Sequence, residues 1–233
     1  MSTRRGFLLT AGILAAGVAS AQTRDACEVF TKALQAATTP EQAVTRLKEG
    51  NARFVSGHAI NCDLRLQVKG TAGGQAPFAA VLGCMDSRVS PELVFDQRLG
   101  DIFGIRIAGN FVNPDILGSL EYATKVAGAK LIVVLGHSDC GAVKGAIDDV
   151  KLGHLTGALA KIRPAVTEVT DASGERNSKN KLFVQRVADQ NVKDAAASLS
   201  AKSEVLAALV KSGDLVIHSA MHDVASGTVS WLS

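Results

Sequence analysis

Four apolar runs of strand length constrain this chain more than any other feature: "PFAAVLGC" (77–84), "DIFGIRIAGN" (101–110), "KLIVVLGH" (130–137) and "GDLVIHSAM" (213–221). Their hydrophobicity is continuous rather than alternating, which predicts strands covered on both faces and therefore a parallel sheet. Helical patterns lie between them, including "NPDILGSLEYATKVAG", which opens at Asn113-Pro114 and stops at Gly128. Strand-helix-strand order predicts right-handed crossovers. The expected fold class is α/β, a central and mainly parallel β-sheet flanked by helices, with N-terminal helices and a C-terminal edge hairpin. Residues 24–55 show helical patterning with Thr39 capping a helix at Pro40, residues 70–75 read as a turn-rich loop, and residues 168–181 as a polar surface loop. After a further helical pair, "DLVIHSAMHDVASGTVSWLS" predicts the hairpin, turning at Gly227. With no repeat and no strong linker in 233 residues, one domain over residues 22–233 is expected.

The first residues, "MSTRRGFLLTAGILAAGVASAQT", combine paired arginines, a short apolar stretch and small residues ending at Ala21. This pattern predicts a twin-arginine export signal over residues 1–21, and with it a periplasmic protein. The uncharged run from Gly6 to Gln22 is shorter than the roughly 20 apolar residues that span a bilayer. Removing the signal takes away Arg4 and Arg5, leaving 23 basic against 22 acidic residues, so the net charge of +3 falls to +1. No Lys/Arg stripe with interleaved aromatics remains, which argues against nucleic-acid binding. Nor is there a basic amphipathic face for a membrane surface after signal removal.

The chemistry concentrates at two strand ends. In open α/β sheets ligands collect beyond the carboxyl ends of the strands. Cys84 ends one predicted strand and His137 another, each behind the same "VLG", so both side chains should emerge at one edge. Cys140 follows three residues later where "DCGAVKGAID" turns into a helix, whose first amides favour its thiolate. Two thiolates and one imidazole suit Zn²⁺ and leave a fourth tetrahedral position for water. Asp86 stands two residues past Cys84, close enough to compete for the metal, and Arg88 can hold it off with a bidentate ion pair. Freed in this way, Asp86 would accept a hydrogen bond from the water. Each of these residues alone has a blander reading, as a buried thiol, a core histidine or a surface salt bridge. Their coincidence at one sheet edge is what favours the metal.

At this point "CMDSRVSPELVFD", "GDIFGIRIAGN", "GSLEYATKVAGAKLIVVLGHSDCGAV" and "LKEGNARFVSG" together resemble a β-class carbonic anhydrase, over nearly all of the chain beyond the signal. The resemblance implies Zn²⁺ on Cys84, His137 and Cys140, with Asp86 and Arg88 as the catalytic dyad. It also implies Gln75 and the Gly141 amide as substrate-binding groups, and Phe103 and Tyr122 as an apolar wall for CO₂. Without it, Gln75 reads as a loop residue and the two aromatics as core. The implied reaction is reversible hydration of CO₂ to bicarbonate and a proton by zinc-bound hydroxide, in a homodimer or multiple of dimers. Carbonyl sulfide or carbon disulfide hydrolysis would use the same residues. A zinc-binding or redox-sensing module without turnover would need neither Asp86 nor Arg88.

The chain also departs from the family. His222 stands where the family often has an aromatic, and the tryptophan around which one branch builds an inhibitory bicarbonate pocket is missing, since Trp231 is the only one. Cys27 and Cys62 have no part in the zinc reading, and a disulfide and two free thiols are both open for them. His58 and Cys62 have the i,i+4 spacing of a metal pair without an evident third ligand. A surface loop fits them better, and His154 and His218 read as ordinary structural histidines.

Overall fold

A computed structural model describes residues 27–232, and the segment read as an export signal lies outside them. Two N-terminal helices, α1 (Lys32–Ala37) and α2 (Pro40–Val55), divide the helical stretch at the Thr39 cap that the sequence predicts. The break falls at Thr39, whose hydroxyl accepts from the Gln42 amide while the Gln42 side chain accepts from the Thr39 amide. That reciprocal cap ahead of Pro40 starts a new helix rather than continuing an old one. Next comes α3 (Leu64–Thr71), capped by Asp63, which takes in the first part of the stretch read as a loop. Its end at Thr71 confines that turn to residues 72–75.

The alternating part follows as β1 (Ala79–Gly83), α4 (Pro91–Val94), β2 (Ile102–Arg106), α5 (Pro114–Glu121) and β3 (Leu131–His137). α5 runs into a π-helical turn at Tyr122–Val126 that ends at Gly128, φ +90°. Beyond β3 lie α6 (Gly141–Ile147), α7 (Gly153–Ala160), α8 (Arg163–Glu168), α9 (Lys181–Lys202) and α10 (Glu204–Ser212). The chain closes with β4 (Val216–His222) and β5 (Val229–Leu232).

The five strands form one sheet in the order β2-β1-β3-β4-β5, parallel except for the antiparallel β4-β5 hairpin at the edge. Both faces are covered, as the continuous runs require. Ala80, Leu82, Ile132 and Val134 pack with residues of α5, α6, α8 and α9, including Leu120, Val143, Ala165 and Phe183. Ala79, Val81, Leu131 and Val133 pack with Leu47 and Ala43 of α2 and with Phe78 and Phe95. Gly136 is required by this packing, because a Cβ there would lie 2.3 Å from the Val192 methyl of α9. No helix among the described residues is long and apolar enough to cross a membrane.

Cys27 and Cys62 are joined in a disulfide that ties the segment before α1 to the loop before α3. Cys62 therefore cannot pair with His58 on a metal. His58 is exposed and lies against the Ser56 hydroxyl, and His154 is exposed. His218 stands edge-on to Trp231.

Candidate metal centre

From β1 the chain passes to β2 on one side, then crosses to β3 on the other, so the strand order reverses between β1 and β3. The crevice outside the carboxyl ends of two such strands is where α/β folds place ligands. Gly83 of β1 is level with Leu135 of β3, which sets Cys84 and His137 side by side at that crevice. Cys140, immediately before α6, completes the group. The two sulfurs are 4.0 Å apart, and one ligand atom from each of Cys84, His137 and Cys140 lies within 4.8 Å of the others, all three residues buried.

The imidazole is prepared for a cation. His137 Nδ1 lies 2.9 Å from the Ser138 carbonyl oxygen, which can only accept, so Nδ1 carries the proton. That leaves the Nε2 lone pair facing the sulfurs, buried and without a hydrogen bond to any described residue. An unpaired buried acceptor costs about 1–3 kcal/mol unless something occupies it. The sulfurs titrate as a pair. A hydrogen bond from the Cys140 thiol holds Cys84 down to about 4, with further help from His137 and the Gly109 amide. Cys140 is pushed far above the ordinary thiol range, first by that same hydrogen bond to Cys84 and then by burial. The sequence reading favoured the Cys140 thiolate because of the helix start. The amides of Val143 and Ala142 do act in that direction, but a second anion 4.0 Å from the first is worse than a helix start is good. For His137 burial acts downward, yet the Cys84 sulfur and the Ser138 carbonyl outweigh it, so the net direction is up. The group is therefore two sulfurs and an imidazole converging on one point, a donor set that one divalent cation would satisfy once the ligands give up their protons.

Asp86 and Arg88 flank this group. Arg88 donates from Nε to Asp86 Oδ1 at 2.9 Å and from Nη2 to Oδ2 at 2.8 Å, and the Arg88 amide donates to Oδ1 at 3.0 Å. Those bonds hold the Asp86 carboxyl well below the usual carboxylate range. Asp86 Oδ2 is 3.9 Å from His137 Nε2, so the carboxylate borders the ligand cluster while its lone pairs stay engaged by Arg88. Gly141 opens α6 beside Cys140, exposed and with open space around it.

The other three sequence-derived site residues stand elsewhere in the chain. Gln75 is exposed ahead of β1, so the whole strand, a rise of roughly 16 Å, separates it from Cys84. Phe103 is level with Ala80, about four residues or 13 Å below the cluster. It meets Tyr122 edge to face at 6.4 Å, and the two rings line a cavity of about 620 Å³ along β2 and α5.

Two supports were not legible as such. Arg106 of β2 donates to the carbonyl oxygens of Cys84 at 3.0 Å and Asp86 at 2.6 Å, holding the loop that carries both. The Gly109 amide donates to Cys84 Sγ at 3.3 Å. Both lie in "GIRIAGN", whose strand pattern was the only signal. His222 ends β4 level with His137, 3% exposed, and neither ring nitrogen bonds a described residue. Burial, and then the neighbouring His137, hold its pKa below the ordinary value.

Comparison with known proteins agrees with this geometry. The family model described as "Carbonic anhydrase" matches residues 79–229. "Carbonic anhydrase 2" of Mycobacterium tuberculosis is 37% identical over 193 residues, 82% of this chain and 91% of the relative. The solved β-carbonic anhydrase CafA of Aspergillus fumigatus superposes with a TM-score of 0.62 at 30% identity, covering 83% of this chain and 90% of that one. A tetrameric β-carbonic anhydrase of Sordaria macrospora gives a TM-score of 0.61 at 27% identity, covering 72% and 90%. The chain belongs to the carbonic anhydrase family, as an enzyme of its β class.

Proposed function

We propose that the chain hydrates CO₂ reversibly to bicarbonate and a proton, using zinc held by Cys84, His137 and Cys140. The observation that carries this is the convergence of two sulfurs and one bare imidazole nitrogen within 4.8 Å at the β1-β3 crevice, beside an arginine-held carboxylate. Two thiolates and an imidazole are a donor set for Zn²⁺. When bound, such an ion supplies Lewis acidity that brings the pKa of water toward neutrality. The protein's own groups do the rest. Asp86 accepts a hydrogen bond from the reacting water and so orients its oxygen, and Arg88 keeps Asp86 in place and ionised. The Gly141 amide donates to an oxygen of the developing bicarbonate.

Gln75, Phe103 and Tyr122 enter from a second copy of the chain, making the working unit a homodimer or a multiple of dimers. Their separation from the cluster within one chain supports this, as do exposed large apolar side chains of the kind a partner surface covers, among them Leu93, Leu99, Tyr122 and Val126. The relative from Sordaria macrospora is itself a tetramer. Complementation tests the idea. Gln75→Ala removes a donor to the developing charge and should lower the rate about 10²–10³-fold, and Asp86→Asn lowers it separately. In a mixed dimer one site has neither substitution, and random pairing makes half the dimers mixed, so co-expression should restore about a quarter of the wild-type rate. A mixture no more active than the mean of its two parents would show that Gln75 acts within its own chain.

Residues 1–21 act as a twin-arginine signal, delivering residues 22–233 as the enzyme domain to the periplasm. The Cys27–Cys62 disulfide supports an oxidising destination. Closing a loop of this length stabilises by about 4 kcal/mol in the chain-entropy picture, and reduction should lower unfolding stability by roughly that amount. The exported protein should begin at Gln22. A mature chain that retains its first 21 residues, or one equally stable before and after reduction, would contradict this.

A further inference from the structure

We propose that Asn191 is a positioning residue for the metal centre, acting through Gly109 on the sulfur of Cys84. The inference rests on the reading of Cys84 as a metal ligand. Asn191 lies in the middle of α9, on the face that buries Phe183, Val184, Val187, Ala188, Val192, Ala195 and Leu199. It is 5% exposed and is the only polar residue among those buried on that face. A leucine would sit there without any polar group to satisfy, so a carboxamide in this row needs a physical reason. Its Nδ2 donates to the Gly109 carbonyl oxygen at 2.9 Å, in a buried hydrogen bond spanning 82 residues of sequence. The amide of the same Gly109 donates to Cys84 Sγ at 3.3 Å.

Gly109 is in the left-handed region, φ +76°, and a Cβ there would stand 2.4 Å from Ile162 Cδ1 and 3.2 Å from Ala142 Cβ. The position therefore accepts only glycine, the residue with least conformational preference of its own. Something outside the residue must decide where its amide points. Ile162 and Ala142 limit it by contact, and Asn191 fixes the carbonyl side by a directional bond. α9 also packs on β3, where Val192 closes over Gly136, the residue before His137. The helix thus reaches both ligand strands, closing over β3 by packing and reaching Cys84 by a relay of two hydrogen bonds. Amide donors to a ligating sulfur set its charge and orientation, and removing such outer supports typically lowers metal affinity roughly 10–100-fold.

Asn191→Leu keeps the volume and removes the donor. We expect purified Asn191→Leu to unfold cooperatively while its zinc dissociation constant, measured by chelator competition, rises roughly 10–100-fold. In the cobalt-substituted protein the sulfur-to-metal charge-transfer band should shift, which a defect confined to packing would not cause. Affinity within about twofold of wild type with an unshifted band would overturn the role of Asn191 and leave the metal reading intact. A second measurement does not depend on that variant folding. In ¹¹³Cd-substituted wild type, the Gly109 amide proton should show scalar coupling to cadmium through Cys84 Sγ. Bound cadmium without that coupling would overturn the relay, whereas wild type that binds no stoichiometric metal would overturn the metal reading beneath it.

Discussion

Asp86→Asn should keep its metal and lose most of its CO₂-hydration rate, by about 10²–10⁴-fold, the range for removing a positioned acid-base group. The substitution preserves shape and deletes one negative charge. That charge now receives three hydrogen bonds, from the Arg88 amide, Nε and Nη2, and sits 3.9 Å from His137 Nε2 without being one of the three clustered ligands. Asparagine would have to turn its NH₂ away from the guanidinium, leaving at most one oxygen for Arg88 and none free for the reacting water. The effect on stability should be small. The hydrogen bonds from Arg88 lower the Asp86 pKa, so the pair's contribution is fully present above the unfolded carboxylate value and is lost only as pH falls through the folded one. Arg88 is half exposed, so solvent screens the pair and its contribution at neutral pH is small. Rate and stability therefore separate. Zinc content, melting temperature and stopped-flow hydration on the same preparation check the expectation. Full zinc with a rate within about threefold of wild type would remove Asp86 from the mechanism.

Cys140→Ser should abolish stoichiometric zinc binding, and the hydration rate with it. Structural zinc sites with four ligands are worth about 10–16 kcal/mol, so one ligand carries roughly 3–4 kcal/mol and its loss weakens binding by at least about 10²-fold. The serine hydroxyl can still donate a hydrogen bond to Cys84, but it keeps its proton at neutral pH and cannot replace the thiolate as a zinc ligand. Wild type should be stabilised by added zinc and destabilised by chelator, as any ligand bound only to the folded state requires. The serine variant should unfold at the same temperature with or without chelator. A Cys140→Ser protein that keeps one zinc and remains chelator-sensitive would mean that Cys140 is a buried thiol and that another residue completes the site.

Much of this architecture was legible because strand burial is written locally. "VLGC" and "VLGH" both end strands that are covered on two faces, and parallel pairing then sets Cys84 and His137 at one edge. The Thr39 cap was legible for the same reason, since its bonds reach only to Gln42. What escaped depends on distance. The Cys27–Cys62 pairing joins residues 35 apart, and spacing alone says nothing about proximity. Asn191 looks like any helical asparagine until Gly109 is seen beneath it. The thiolate preference of Cys140 followed correctly from its helix start, but the opposing effect comes from Cys84, 56 residues away. The short helices α7 and α8, of eight and six residues, are too short for an amphipathic period to announce them. Gln75, Phe103 and Tyr122 were assigned to the site only through resemblance, because nothing in their own neighbourhood points toward the crevice.

X-ray absorption at the zinc edge of freshly purified wild-type protein addresses the central claim most directly. A shell of two sulfurs near 2.3 Å and one imidazole nitrogen near 2.0 Å, at one zinc per chain, is what Cys84, Cys140 and His137 predict. Zinc surrounded by nitrogen and oxygen alone, or both sulfurs free to react with a thiol reagent in the zinc-loaded protein, would contradict it.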